Sequence, residues 1–268
     1  MSTAVAVIGA GGRMGRMLID AIQRDDKTHL AAAVDRDAQV LGRDAGELAG
    51  VGNLAVEVGD DCGQAALAAD IIIDFSLPQA TVEVVAACRE HQCPLVLGTT
   101  GLAAEQTAAV KGLAQQFAVV HAANYSTGVT LLTALVEQAA RAIGSQSDIE
   151  IVEAHHRHKV DAPSGTALRL GEAVAGELER DLDECAIYGR EGHTGERDRQ
   201  TIGFATIRAG DIVGEHTVVF AGEGERIELT HKASSRTTFA AGALRAAHWA
   251  VGQPAGLYDM RDVLGLIN

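Results

Sequence analysis

Aromatic residues are scarce, at 3% of the 268 positions, so the 47% hydrophobic content must build its core from Ala, Val, Ile and Leu. Small aliphatic side chains suit helices packed closely on a parallel sheet. Cysteine is nearly absent: Cys62, Cys88, Cys93 and Cys185 form no CxxC pair and no zinc or disulfide spacing. A disulfide framework is excluded, and a reducing cytoplasm is the expected location. Positive charge is also short, with 22 Lys and Arg against 36 Asp and Glu, a net charge of −14. That balance repels phosphate backbones and anionic lipid, so neither nucleic acid nor membrane is an expected partner. Long apolar runs are missing too. Residues 112–136 carry no Asp, Glu, Lys or Arg, yet Gln115, Gln116, His121, Asn124 and Thr130 interrupt them, which rules out a membrane span. No basic residue precedes the apolar residues 4–10 and glycines follow at once, so this run is not a signal peptide.

The length points to two domains. In the first half, apolar runs at 4–8, 30–34, 71–75, 95–97 and 117–120 alternate with Ala-rich segments at 13–23, 79–90 and 103–116. Repeated βαβ units are expected, hence an α/β fold with a Rossmann-type, doubly wound parallel sheet. Beyond residue 124, Val129, Leu132, Val136, Ala139 and Ile143 mark a helix face, an extended run follows at 148–156, and strands are expected at 201–208, 216–220 and 226–231. This reads as a second, α+β domain with a mixed or antiparallel sheet. Phe239, Ala243, Ala247 and Val251, spaced by fours, mark a final helix that can return to the first domain. The expected division is 1–126 plus 236–268 for dinucleotide binding, and 127–235 for substrate binding and oligomerisation.

The first strand leads into Gly9, Ala10, Gly11, Gly12, Arg13, Met14 and Gly15 and then into a helix face. Glycines here permit a tight turn, close approach to a pyrophosphate and close helix packing, with helix N–H groups facing the phosphates. The spacing is GxxGxxG, because Met14 replaces the third glycine of GxGxxG. Asp35 closes the second strand, where a ribose-binding acid is expected, and Arg36 can pair with a 2′-phosphate. NADH or NADPH is therefore the expected cofactor. The plainer readings are a ligand-free glycine turn and a solvated loop pair.

Residues 155–159 hold three histidines, Arg157 and Lys159 with no acid, the densest positive segment of an acidic chain. In an unbroken strand His155 and Arg157 would face opposite His156 and His158, so all converge only where the strand ends. Arg157 and Lys159 would repel a dication and no HExxH occurs, so no metal is expected. An anion site is favoured over a solvated patch. Ser164 can cap the following helix, whose first turn at Gly165 and Thr166 offers N–H groups to a carboxylate, and ordinary capping can hold at the same time.

At this point the sequence resembles the 4-hydroxy-tetrahydrodipicolinate reductases, also called dihydrodipicolinate reductases, over essentially its whole length. The resemblance is carried by GAGGRMG at 9–15, GTTG at 98–101, AANYS at 122–126, EAHHRHKVDAPSGTA at 153–167, REGHTGER at 190–197, IGFATIRAGDIVGEHT at 202–217 and HKASSR at 231–236. It implies that Gly9 to Met14, Asp35, Arg36, Gly98, Thr99, Thr100, Ala122, Ala123, Asn124 and Tyr125 line the cofactor site. It implies His155 and Lys159 as the catalytic pair and His156, Gly165 and Thr166 as substrate-carboxylate ligands. It further implies a small cyclic dicarboxylate substrate, a homotetramer and a place in diaminopimelate and lysine biosynthesis. Two other classes compete: a non-catalytic NAD(P)H-sensing regulator, and a metal-dependent hydrolase using the histidines.

Overall fold

A computed structural model describes residues 2–266. The chain divides into two compact units, one of residues up to Thr127 and from Thr237 onward, the other of Gly128–Arg236.

In the first unit the chain runs through β1 (Thr3–Ile8), α1 (Arg13–Arg24), β2 (Thr28–Val34), α2 (Ala45–Ala49), β3 (Val58–Gly59), α3 (Cys62–Ala68), β4 (Ile71–Asp74), α4 (Thr81–Glu90), β5 (Leu95–Leu97), α5 (Ala104–Ala114) and β6 (Ala118–His121). The strands pair in parallel in the order β6-β5-β4-β1-β2-β3. The order reverses between β1 and β4, which opens a crevice at their carboxyl ends. Every residue of β4 is buried, as a central parallel strand covered on both faces demands. Gly15, Leu18, Ile19 and Ile22 form the buried stripe of α1. A Cβ at Gly15 would run into the Gly9 carbonyl oxygen, so the helix lies this close to the strand only because Gly15 has none. The short α2, β3 and α3 have too few residues to show a period and were not anticipated. Their helix starts are nonetheless capped, by Asp44 on the Glu47 N–H and by Asp61 on the Gly63 and Gln64 N–H groups.

The second unit follows with α6 (Thr127–Ile143), β7 (Asp148–His155), α7 (Gly165–Glu177), α8 (Leu182–Cys185), β8 (Ala186–Ile187), β9 (Ile202–Arg208), β10 (Gly214–Ala221) and β11 (Arg226–Ala233). The five-stranded sheet has the order β11-β10-β7-β9-β8, antiparallel across β11-β10-β7 and parallel across β7-β9-β8. One face packs Ile149, Ile151, Ile202, Phe204, Val218 and Phe220 with Leu132 and Val136 of α6 and Leu170 and Val174 of α7. Central β7 is thus held on both edges, and its last residue, His155, pairs with Arg208 of β9.

The chain then re-enters the first unit as α9 (Thr237–Ala250), β12 (Gly256–Tyr258) and α10 (Met260–Leu264). β12 pairs in parallel with β6 and completes seven strands. A Cβ at Gly242 of α9 would strike the Tyr125 carbonyl oxygen, so the helix sits directly on the segment leaving β6.

Candidate active site

In the first unit a cavity of about 360 Å³ opens at the reversal point, bounded by Gly9, Gly11, Gly12, Asp35, Arg36 and Phe75 among others. Gly9 has φ of +80°, a conformation glycine adopts without strain. The start of α1 has neither a side-chain cap nor an acid in its first turn, leaving the positive end of the helix for an anion. Asp35 Oδ2 accepts the Gly11 N–H at 2.8 Å, while Oδ1 accepts the Arg36 N–H at 2.7 Å and the Asp37 N–H at 2.9 Å. The carboxylate therefore braces the glycine turn and retains lone pairs for a ribose. The Arg36 guanidinium is paired with Glu83 of α4.

The remaining sequence-expected residues of this unit fall in different places. Ala10 is buried in the core, Met14 packs partly against it, and Arg13 is exposed. Gly98, Thr99 and Thr100 follow β5, where a Cβ at Gly98 would collide with the Phe75 ring and Thr99 Oγ1 donates to the Ser76 carbonyl at 3.4 Å. Ala122, Ala123 and Asn124 follow β6, with Asn124 Oδ1 accepting the Ser126 N–H. The Tyr125 side chain faces inward: it is 1% exposed, its hydroxyl donates to the Leu97 and Val120 carbonyls, and its ring lies 5.4 Å from that of Phe75. Phe75 and Ser76 line the cavity and were not anticipated. Their place directly after the buried β4 run, beside a switch point, was the available signal. Beneath them Asp74 is fully buried, and burial pushes its carboxyl up against the opposing hydrogen bonds of Ser76 and Thr99.

In the second unit β7 ends at His155, and His156 already lies outside the strand. The period-2 conflict is thereby resolved, because the basic residues leave the sheet as a loop. His155 Nδ1 lies 2.5 Å from Glu153 Oε2. Glu153 is 1% exposed and grips the Arg208 guanidinium with both oxygens, at 2.9 and 2.7 Å. Burial alone would raise the Glu153 carboxyl, but hydrogen bonds from Arg208 and His155 hold it below the usual range. Burial lowers the His155 imidazole, and Glu153 partly offsets that. His216 of β10 stands 5.1 Å from His155, ring to ring, and burial pushes it down to about 4. Its Nε2 lies 3.1 Å from Ser164 Oγ, the oxygen that also caps α7 by accepting the Ala167 N–H.

Lys159 donates to both oxygens of Asp161 at 2.8 Å. His156 Nε2 is 3.0 Å from an Arg236 guanidinium nitrogen. Gly165 is exposed at the start of α7, and nothing stands within 4 Å of where its Cβ would be. Thr166 follows it, half-buried in the first turn. Glu153, Arg208, His216 and Arg236 were missed by sequence reasoning. Only Glu153 carried a local signal, standing two residues before His155 and so on the same strand face. Among the described residues no group of three or more His, Cys, Asp or Glu is disposed to hold a metal ion.

A glycine cradle at a Rossmann switch point, with an acid closing the second strand, defines a dinucleotide-binding class of protein. Residues 3–125 match the family described as "Dihydrodipicolinate reductase, N-terminus" and residues 128–264 match "Dihydrodipicolinate reductase, C-terminus". The chain is 71% identical to a 4-hydroxy-tetrahydrodipicolinate reductase of Halorhodospira halophila, over 99% of this chain and 100% of that protein. It is 63% identical, over the same shares, to one of Alkalilimnicola ehrlichii. A solved dihydrodipicolinate reductase with bound dipicolinate, from Paenisporosarcina sp. TG-14, shares the fold, with a TM-score of 0.75 at 24% identity, covering 97% of this chain and 98% of that one. The chain belongs to the dihydrodipicolinate reductase family.

Proposed function

We infer that the protein reduces 4-hydroxy-tetrahydrodipicolinate, by way of dihydrodipicolinate, to tetrahydrodipicolinate in diaminopimelate and lysine biosynthesis. The observation that carries this is 71% identity, end to end, with a relative of that name. Relatives named as reductases lend no support to a sensor without chemistry.

The glycine cradle, the uncapped α1 start and Asp35 fit a reduced nicotinamide dinucleotide, which when bound supplies the hydride. Gly9 to Met14 would hold the pyrophosphate, Asp35 and Arg36 would read the adenosine ribose, and residues 98–100 and 122–124, with the backbone of Tyr125, would line the nicotinamide side. Asp35 supports NADH and Arg36 NADPH, so both serve as cofactors. Loss of the substrate hydroxyl as water leaves a conjugated cyclic imine, and hydride addition places an electron pair that must take a proton. His155 donates that proton from Nε2, becomes neutral, and is recharged from solvent. Lys159 pairs with a substrate carboxylate and assists the protonation, and His156, Gly165 and Thr166 bind carboxylate oxygens. Four free cysteines and a biosynthetic role support a cytoplasmic location. Exposed Ile207 and Ile227 on the second unit's sheet support subunit contacts there, within a homotetramer.

The test is oxidation of NADH or NADPH on adding the freshly formed product of the preceding synthase. Pyridine-2,6-dicarboxylate should compete with that substrate, and pyridine-2-carboxylate should bind about ten- to a hundred-fold more weakly for want of one charge-assisted contact. A protein that binds NADH yet oxidises neither cofactor would sink the reading.

A further inference from the structure

Glu153 and His155 stand two residues apart on β7 and leave the same face of the sheet. Glu153 Oε1 accepts from Arg208 at 2.7 Å, the Ser164 N–H at 3.2 Å and the Thr206 hydroxyl at 3.3 Å, while Oε2 accepts from Arg208 at 2.9 Å and meets His155 Nδ1 at 2.5 Å. Every other partner of this carboxylate is a donor, and an ionised carboxylate only accepts. The proton between Glu153 and His155 therefore resides on Nδ1, and Nε2 is the nitrogen left for the reacting molecule. Across the sheet, a Cβ at Gly214 would stand 3.1 Å from His155 Nε2, so a glycine at that position keeps this side of the ring uncrowded.

We propose that Glu153 is a positioning residue. Clamped by Arg208, it fixes the tautomer and rotation of His155 and so leaves Nε2 as the nitrogen that serves the reacting molecule. Besides Glu153, the charged and titratable groups that act on His155 are Arg208 from β9, His216 from β10 and Lys159 from the loop after β7, with Asp161 acting on Lys159 and Arg208 and His231 of β11 acting on His216. Burial, Lys159 and Arg208 all disfavour the imidazolium, and Glu153 is the group that opposes them. The register makes the arrangement possible, since β7 sets His155 opposite Arg208 and Glu153 opposite Thr206 on β9. The proposal rests on His155 being the proton donor, and the experiments separate the two ideas.

In wild-type protein with ¹⁵N-labelled histidine, the His155 signals, assigned by their loss in His155→Gln, should report the Nδ1–H tautomer of the neutral ring. An Nε2–H tautomer overturns the proposal. For Glu153→Gln, kcat that falls as pH rises through the donor's pKa should begin to fall about one pH unit or more lower, because the charge favouring the imidazolium is gone. At about pH 8 kcat should then be down by about tenfold or more, with NADH affinity unchanged, and Glu153→Asp should recover part of the shift. A merely structural role would lower stability without moving the limb. An unmoved limb in Glu153→Gln, with His155→Gln inactive, overturns the positioning role alone. An active His155→Gln overturns the donor assignment and the proposal with it. If Glu153→Gln does not fold, the isotope measurement on the wild type decides.

Discussion

At the scale of single residues, the two chemical groups sit in opposite surroundings. His155 is 9% exposed and braced by a buried acid, whereas Lys159 is held by the exposed Asp161. On the proposed function, His155→Gln should lower kcat by about 10² to 10⁴ while leaving NADH binding unchanged in a titration. Asp161 poses the reverse case. Its carboxylate accepts two bonds from Lys159, and would compete with the substrate carboxylate that the proposed function assigns to that lysine. Asp161→Asn should tighten pyridine-2,6-dicarboxylate about two- to ten-fold, since an exposed pair of this kind is worth about 1 kcal/mol. Unchanged or weaker inhibition would show that Asp161 orients Lys159 instead of competing for it.

At the scale of elements, helices reach the sheets only where small residues permit. Gly242 of α9 lies against the Tyr125 carbonyl, while Gly176, near the end of α7, has open space where a Cβ would go. Gly242→Ala should destabilise the first unit by about 1 to 3 kcal/mol, because the backbone in its way has nowhere to move. Gly176→Ala should stabilise by about 0.4 to 1 kcal/mol through the unfolded chain. Urea unfolding of the two variants side by side checks the contrast, and equal shifts would contradict it. The same closeness positions the site, since Gly15 lets α1 aim its N-terminus at the cavity.

For the whole molecule, buried histidines set the response to acid. His216 is held down at about 4 by burial and the neighbouring His155, against an ordinary value of 6.5. Between those values the unfolded chain binds a proton that the folded protein refuses, so stability is full above about pH 6.5 and falls as pH drops toward 4. This one group can withdraw about 3 kcal/mol across that window. His155 and His231 are lowered too and act in the same direction. His216→Asn should flatten the melting temperature between pH 6.5 and 4. A slope equal to that of the wild type would assign the acid sensitivity elsewhere.

Much of this protein was legible before folding, where the information is local. The parallel strands expected at 4–8, 30–34, 71–75, 95–97 and 117–120 are β1, β2, β4, β5 and β6, because a buried parallel strand is a short continuous apolar run whatever its neighbours. The glycine turn, Asp35 and the basic run at 155–159 are contiguous motifs, so their chemistry can be read in one dimension. The meetings between distant residues could not be. Arg208 reaches Glu153 across 55 positions and His216 reaches Ser164 across 52, each through strand order and register that alternating patterns leave open. The sheet's pairing also decided where β7 stops, and with it that His155 stays braced inside while His156, His158 and Lys159 turn away into the loop.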